Sequence, residues 1–197
     1  MTTTGRSFQR MEDPYNPRFV EALAGARIGR TYNQYARSEL RRDRLGAYLA
    51  ARARAETILV GEAAGYRGAR VSGIPFTSER QLTGAGPAEA TATIVHRVLS
   101  ELGLEEDVLL WNVVPTHLGT ARSNRAPTRC EIVAARPFLE ELIRGRRVIP
   151  VGRVAGTVLG LPHVRHPSHG GANLFAKGLR TAFATIPPRR GPRAASS

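Results

Sequence analysis

Apolar and polar positions change rhythm twice along this chain. From residue 19 to 55, Phe19, Leu23, Tyr35, Leu40, Leu45, Tyr48 and Leu49 form a loose stripe at helical spacing, with arginines between them. At Thr57 the pattern switches to a short apolar run, 57–60, that stops at Gly61 and predicts a buried strand. A glycine- and proline-bearing stretch through Gly84 reads as irregular. Ala88, Ala92, Val95, Leu99 and Leu102 then mark a helix over 87–102, and 108–113 is a second strand. A loop is expected over 115–127. Thr128 followed by Glu131 is a capping-box pair opening another helix, which Pro137 should kink or split. A third strand over 148–151, a short helix over 154–159, a fourth strand over 163–166 and a last helix over about 173–184 complete the pattern.

Strands alternating with helices predict an α/β fold: a three-layer α/β/α arrangement around a central four-stranded, mainly parallel sheet. Residues 18–186 read as one domain, of which 18–55 is a helical N-terminal part. Residues 1–17, polar and broken by Pro14 and Pro17, are expected to be flexible, and 187–197 to be a disordered basic tail. The 197 residues suffice for a substantial core. No apolar run reaches the roughly 18 residues of a membrane span, and residues 1–17 lack the apolar core of a secretory signal. A cytoplasmic monomer is the expectation, nucleoid-associated if the source is bacterial. The single cysteine, Cys130, excludes an internal disulfide and a multi-cysteine metal or iron–sulfur site in this chain, and reads as a small apolar helix residue.

Charge narrows the function. Twenty-nine basic residues against sixteen acidic ones give a net charge of +13, and every basic residue but Lys177 is arginine. An excess of that size favours a polyanionic partner, with nucleic acid first.

Three segments with unusual residues follow strands one, two and four, so a parallel sheet would bring them to one edge. They are Gly61-Glu62-Ala63-Ala64-Gly65 with Gly73-Ile74-Pro75-Phe76, then Trp111-Asn112-Val113, then His166-Pro167-Ser168. On these residues the chain resembles the uracil-DNA glycosylase superfamily, from about residue 57 to 184. The first segment is similar to the GEAPG motif of the thermophile-type branch, the second to its strand-borne asparagine, and the third to the second catalytic motif. The resemblance implies hydrolysis of the N-glycosidic bond of uracil, or of another deaminated base, in DNA by base flipping, with no cofactor. Phe76 would stack on the flipped base and Asn112 would pair with its N3–H and O4. His166 would donate to O2 as negative charge develops, helped by backbone amides near Gly61 and Ala63. Glu62 would position water or stabilise the sugar cation. Tyr66 stands near the place of a tyrosine that blocks the thymine methyl. Ser168, Gly170 and Gly171 would hold phosphates, and His169, Asn173 or Leu174 would supply the wedge that fills the vacated stack.

The departures from that branch are specific. One cysteine replaces the four that hold its cluster, and Pro115-Thr116-His117 occupies the place of a cluster cysteine. Ala64 replaces the motif proline. The acid that follows the motif gives way to Tyr66-Arg67-Gly68-Ala69-Arg70, and Ala63 stands where the best-known branch has its water-activating aspartate. The other histidines, His96, His117, His163 and His169, are expected at the surface or behind the site. Two further function classes compete: a non-catalytic nucleic-acid-binding module on the same scaffold, and a nucleoside hydrolase, which the +13 charge disfavours.

Overall fold

The computed structural model describes residues 17–184. The expected flexible segment 1–17, apart from Pro17, and the expected tail 187–197 lie outside the described residues. The N-terminal stripe resolves into two helices, α1 (Pro17–Gly25) and α2 (Glu39–Ala51). Asn33 separates them: its Nδ2 donates to the carbonyl of Leu23 at 2.7 Å, where the α1 helix has run out of amide donors. Leu40 faces solvent at 58% exposure, so the stripe that packs is Leu45, Tyr48 and Leu49.

The sheet has three strands rather than four, all parallel, with β1 (Thr57–Ala64) between β2 (Val108–His117) and β5 (Arg147–Pro150). β1 does not stop at Gly61. Gly61 pairs with Asn112 and Ala63 with Val114, so Glu62 lies on a strand and not in a loop. The expected fourth strand reduces to Val164, whose N–H donates to Pro150 O and whose carbonyl accepts from Gly152 N, both at 2.9 Å. Pro162 and Pro167 flank that point and have no N–H to extend a ladder.

The helix α5 (Ala90–Glu101) links β1 to β2, and α6 (Arg129–Ile143) links β2 back across β1 to β5. These crossovers run in opposite directions, so right-handed connections put the two helices on opposite faces of the sheet. β5 leads through α7 (Arg153–Leu159) to Val164 on its outer side, away from β2. Connections therefore diverge between β1 and β5, which opens a crevice at their C-terminal ends.

The stretches expected to be irregular carry short elements: helices α3 (Ala69–Ser72) and α4 (Glu79–Thr83), and a hairpin of β3 (Gly119–Thr120) and β4 (Ser123–Asn124). α6 has the expected capping box but is not split at Pro137, because Ala135 and Leu139 are buried on either side of it while Pro137 itself is exposed. Cys130 lies on α6 and is exposed rather than packed. The last helix is α8 (Ala172–Ala184).

Of the two places expected for His117, at the surface or behind the site, the structure shows the second. His117 is fully buried, with Nδ1 2.8 Å from Ala64 O and Nε2 2.7 Å from Thr120 O. It thereby ties the end of β1 to the hairpin that continues β2.

Candidate active site

A cleft of about 650 Å³ opens at the crevice between β1 and β5. Glu62, Ala63, Phe76, Asn112, His166, Ser168 and His169 all line it, so the three sequence segments meet there. Gly61 lies directly behind two of these residues, Phe76 and Asn112. A Cβ at Gly61 would overlap the Phe76 ring and sit 2.8 Å from Asn112 Oδ1, so only a bare backbone lets the ring and the amide close over it.

Asn112 is 3% exposed, and its side-chain amide has no hydrogen-bond partner among the described residues. Its amide meets the cleft instead of another protein group, so its donor and acceptor are free to pair with a ligand. Phe76 is held on a tight turn in which Ser72 Oγ donates to Thr77 O at 2.6 Å, and Tyr35 Oη donates to Gly73 O at 2.9 Å. Its φ of +52° is left-handed, a strained backbone for a bulky side chain, at a cost of about 1 kcal/mol or more.

His166 is seated against Gly152, at the end of β5. A Cβ on that glycine would lie 3.2 Å from His166 Cβ. The backbone N–H of Ser168 donates to His166 Nδ1 at 3.2 Å, and Ser168 Oγ lies 2.7 Å from the same nitrogen. With Nδ1 accepting, the ring proton belongs on Nε2. Burial lowers the pKa of His166, and Arg165 and His169 lower it further. The ring is thus a neutral N–H donor in the cleft.

Two carboxylates complete the lining. Glu62 is half-buried, and burial raises its pKa. Glu89, which the sequence does not single out, enters from the residue just before α5. Neither has a hydrogen-bond or ion-pair partner among the described residues. Three arginines, Arg125, Arg153 and Arg165, also line the cleft, the last two exposed. Arg125 is paired with the buried Glu131, its Nη1 2.8 Å from Glu131 Oε2. Nothing in the local sequence marks these arginines out from the other basic residues.

Tyr66, Gly170, Gly171, Asn173 and Leu174 lie outside the cleft lining. Tyr66 is half-buried, with the Arg67 guanidinium 5.4 Å from its ring centroid, and its N–H donates to Asn124 Oδ1 at 3.0 Å. Gly170 is exposed, and Gly171 is buried where a Cβ would overlap the carbonyl of His166. Asn173 and Leu174 are exposed on the first turn of α8, Leu174 at 61%. His169, at φ +50°, is exposed at the rim.

The family model described as the uracil DNA glycosylase superfamily matches residues 49–190. The chain belongs to that superfamily, and a DNA glycosylase type of activity follows from the membership. The fold is also that of a solved structure, wild-type Pedobacter heparinus SMUG2, at a TM-score of 0.66 and 13% identity. The match covers 85% of this chain and 94% of that one. A search of curated proteins finds no match. No helix among the described residues is long and apolar enough to cross a membrane.

Proposed function

We propose that the chain is a monofunctional uracil-DNA glycosylase, excising uracil or a related deaminated base and leaving an abasic site. The observation that carries this reading is the Asn112 amide, which lines the cleft beside the Phe76 ring with no hydrogen bond to another described residue. A side-chain amide presents a donor and an acceptor side by side, which complements the N3–H and O4 edge of uracil. A base paired inside a duplex cannot reach so enclosed a position, so the nucleotide must leave the stack.

Each step then has a residue. The flipped base stacks on Phe76 and pairs with Asn112. His166 donates from Nε2 to O2, and the bond strengthens as the departing base takes up negative charge, so it favours the transition state over the ground state. A neutral donor suits this, because an imidazolium would be costly to hold where burial, Arg165 and His169 all oppose it. The Glu62 carboxylate stands beside the sugar and stabilises the oxocarbenium character at C1′. Arg153 and Arg165 at the cleft wall, with Ser168 and the Gly170-Gly171 segment, contact the flanking phosphates. His169 or Leu174 fills the vacated stack; both are exposed next to the HPS segment.

The test is base release from single- and double-stranded oligonucleotides carrying uracil, hypoxanthine or mismatched thymine. Release from uracil DNA, with strand scission only after alkali, is expected. Salt-sensitive DNA binding without release from any substrate would overturn the enzymatic reading in favour of a binding module.

A further inference from the structure

Glu89 occupies a place that packing and capping do not explain. It is the N-cap residue of α5, with extended backbone angles of φ −119° and ψ 121°, yet its side chain makes no capping hydrogen bond. Instead its carboxylate turns back over the loop that follows the first motif and lies between two glycines. A Cβ at Gly65 would come within 2.9 Å of Glu89 Cδ, and one at Gly68 within 2.8 Å. Any side chain at either position would displace it, so the loop is hollowed to receive this acid. Among the described residues the loop gives it no hydrogen bond: the N–H groups of Gly68 and Arg70 go to the carbonyl of Gly65, and that of Tyr66 to Asn124. Glu89 lines the same cleft as Glu62, Asn112 and His166. The position corresponding to a water-activating acid on the motif itself is Ala63.

We infer that Glu89 is the catalytic base of the cleft, the carboxylate that takes the proton of the attacking water. The inference rests on the glycosylase reading above. As the C1′–N bond breaks, its electron pair leaves on the base, and the water oxygen bonds to C1′. One water proton passes to the Glu89 carboxylate and is then returned to solvent, while the base anion takes a proton from solvent. The Glu62 carboxyl group stands beside the sugar. Burial alone pushes the Glu89 carboxyl up to about 7, which gives the carboxylate the basicity to accept a proton near neutrality. A desolvated acid without a local partner is unfavourable in the free protein, and a bound water supplies the missing donor.

The experiment compares the full-length wild type with E89Q, E89A and E62Q on a uracil oligonucleotide, in single turnover at saturating enzyme. E89Q is expected to lose on the order of 10²-fold or more in rate, the usual scale for a general base. Its half-saturating concentration and melting temperature should match the wild type. Formate should restore at least about tenfold of the E89A rate, since a small carboxylate fills the space and takes the proton. E89Q within about threefold of the wild type would overturn the role while leaving the glycosylase reading intact. So would a loss in E89A that formate does not restore. A wild type that releases no base overturns the reading, and this role with it.

Discussion

The two sides of the cleft are built by opposite means. The wall of Asn112, Gly61 and Phe76 is rigid: two paired strands and a hydrogen-bonded turn hold it, and all three residues are buried. The facing acids, Glu62 and Glu89, are only half-buried, have no partners, and border a glycine loop. Recognition of a flat base edge needs geometry fixed in advance, so its cost is borne in folding. Handling water and a transient cation needs charge whose partner arrives with the substrate, so the acids wait with raised pKa values. The cleft therefore separates shape from charge, and substitutions on the two sides should fail in different ways.

The sharpest way to break the comparison lies on the rigid wall. Asn112→Ala removes the amide that pairs with the base in the proposed complex and should reduce kcat/KM for uracil DNA by about 10²-fold or more, while the melting temperature holds because that amide makes no hydrogen bond within the protein. Steady-state kinetics beside a thermal melt checks both. A variant that loses activity only in proportion to its stability would place Asn112 in the scaffold instead.

His166→Ala should come next, with a loss of about 10²-fold. The loss should fall on turnover more than on DNA affinity, because the Nε2–H bond matters most as charge develops on the base. Single-turnover rates and a binding isotherm separate the two. Equal losses in both would mean that His166 grips the ground state.

Phe76→Ala should cost roughly tenfold, the scale of about 1–3 kcal/mol for one stacked base. The effect should appear in affinity for uracil DNA and hardly at all for undamaged DNA, as competition binding would reveal.

This contrast also explains what the chain discloses before folding is known. The rigid wall was legible because each residue carries a local signature: an amide in an apolar strand, a Pro-Phe turn, a glycine where β1 seemed to end. The HPS segment was legible in the same way. Glu89 was not, because it lies 24 residues beyond Gly65 in a polar stretch, and only the return of α5 to the sheet brings it over the loop. The fourth strand expected over 163–166 shrinks to a single bridge, because the flanking prolines leave no N–H to extend a ladder. His117 shows the reverse, with more regular structure than its neighbours suggest. A histidine after Pro-Thr looks like a loop residue until β2 is seen to run on to it, with carbonyls on both sides of its ring. Tyr66, expected near the thymine-methyl position, is held by its backbone N–H to Asn124 Oδ1 and is not among the residues lining the cleft.

The smallest effect on chemistry is expected from Glu131→Gln, which touches neither side of the cleft directly. Glu131 closes the capping box of α6 and holds Arg125 at the cleft wall. The Arg125 guanidinium, with Thr128 assisting, depresses its pKa from 4.5 to about 2. A depressed acid contributes stability that is full above its unfolded value and is lost as pH falls through the folded one. Wild type should therefore be more stable than the glutamine variant by about 2 kcal/mol at pH 7, and the gap should close between about pH 4.5 and 2. Urea melts at pH 7, 4 and 2.5 would measure it. Activity per folded molecule should change by no more than about threefold, because Arg125 still reaches the cleft without its partner and a single phosphate contact is worth little at moderate salt. A tenfold loss at unchanged stability would instead make the Glu131–Arg125 pair part of the charged side, extending it from the two acids to the cation opposite them.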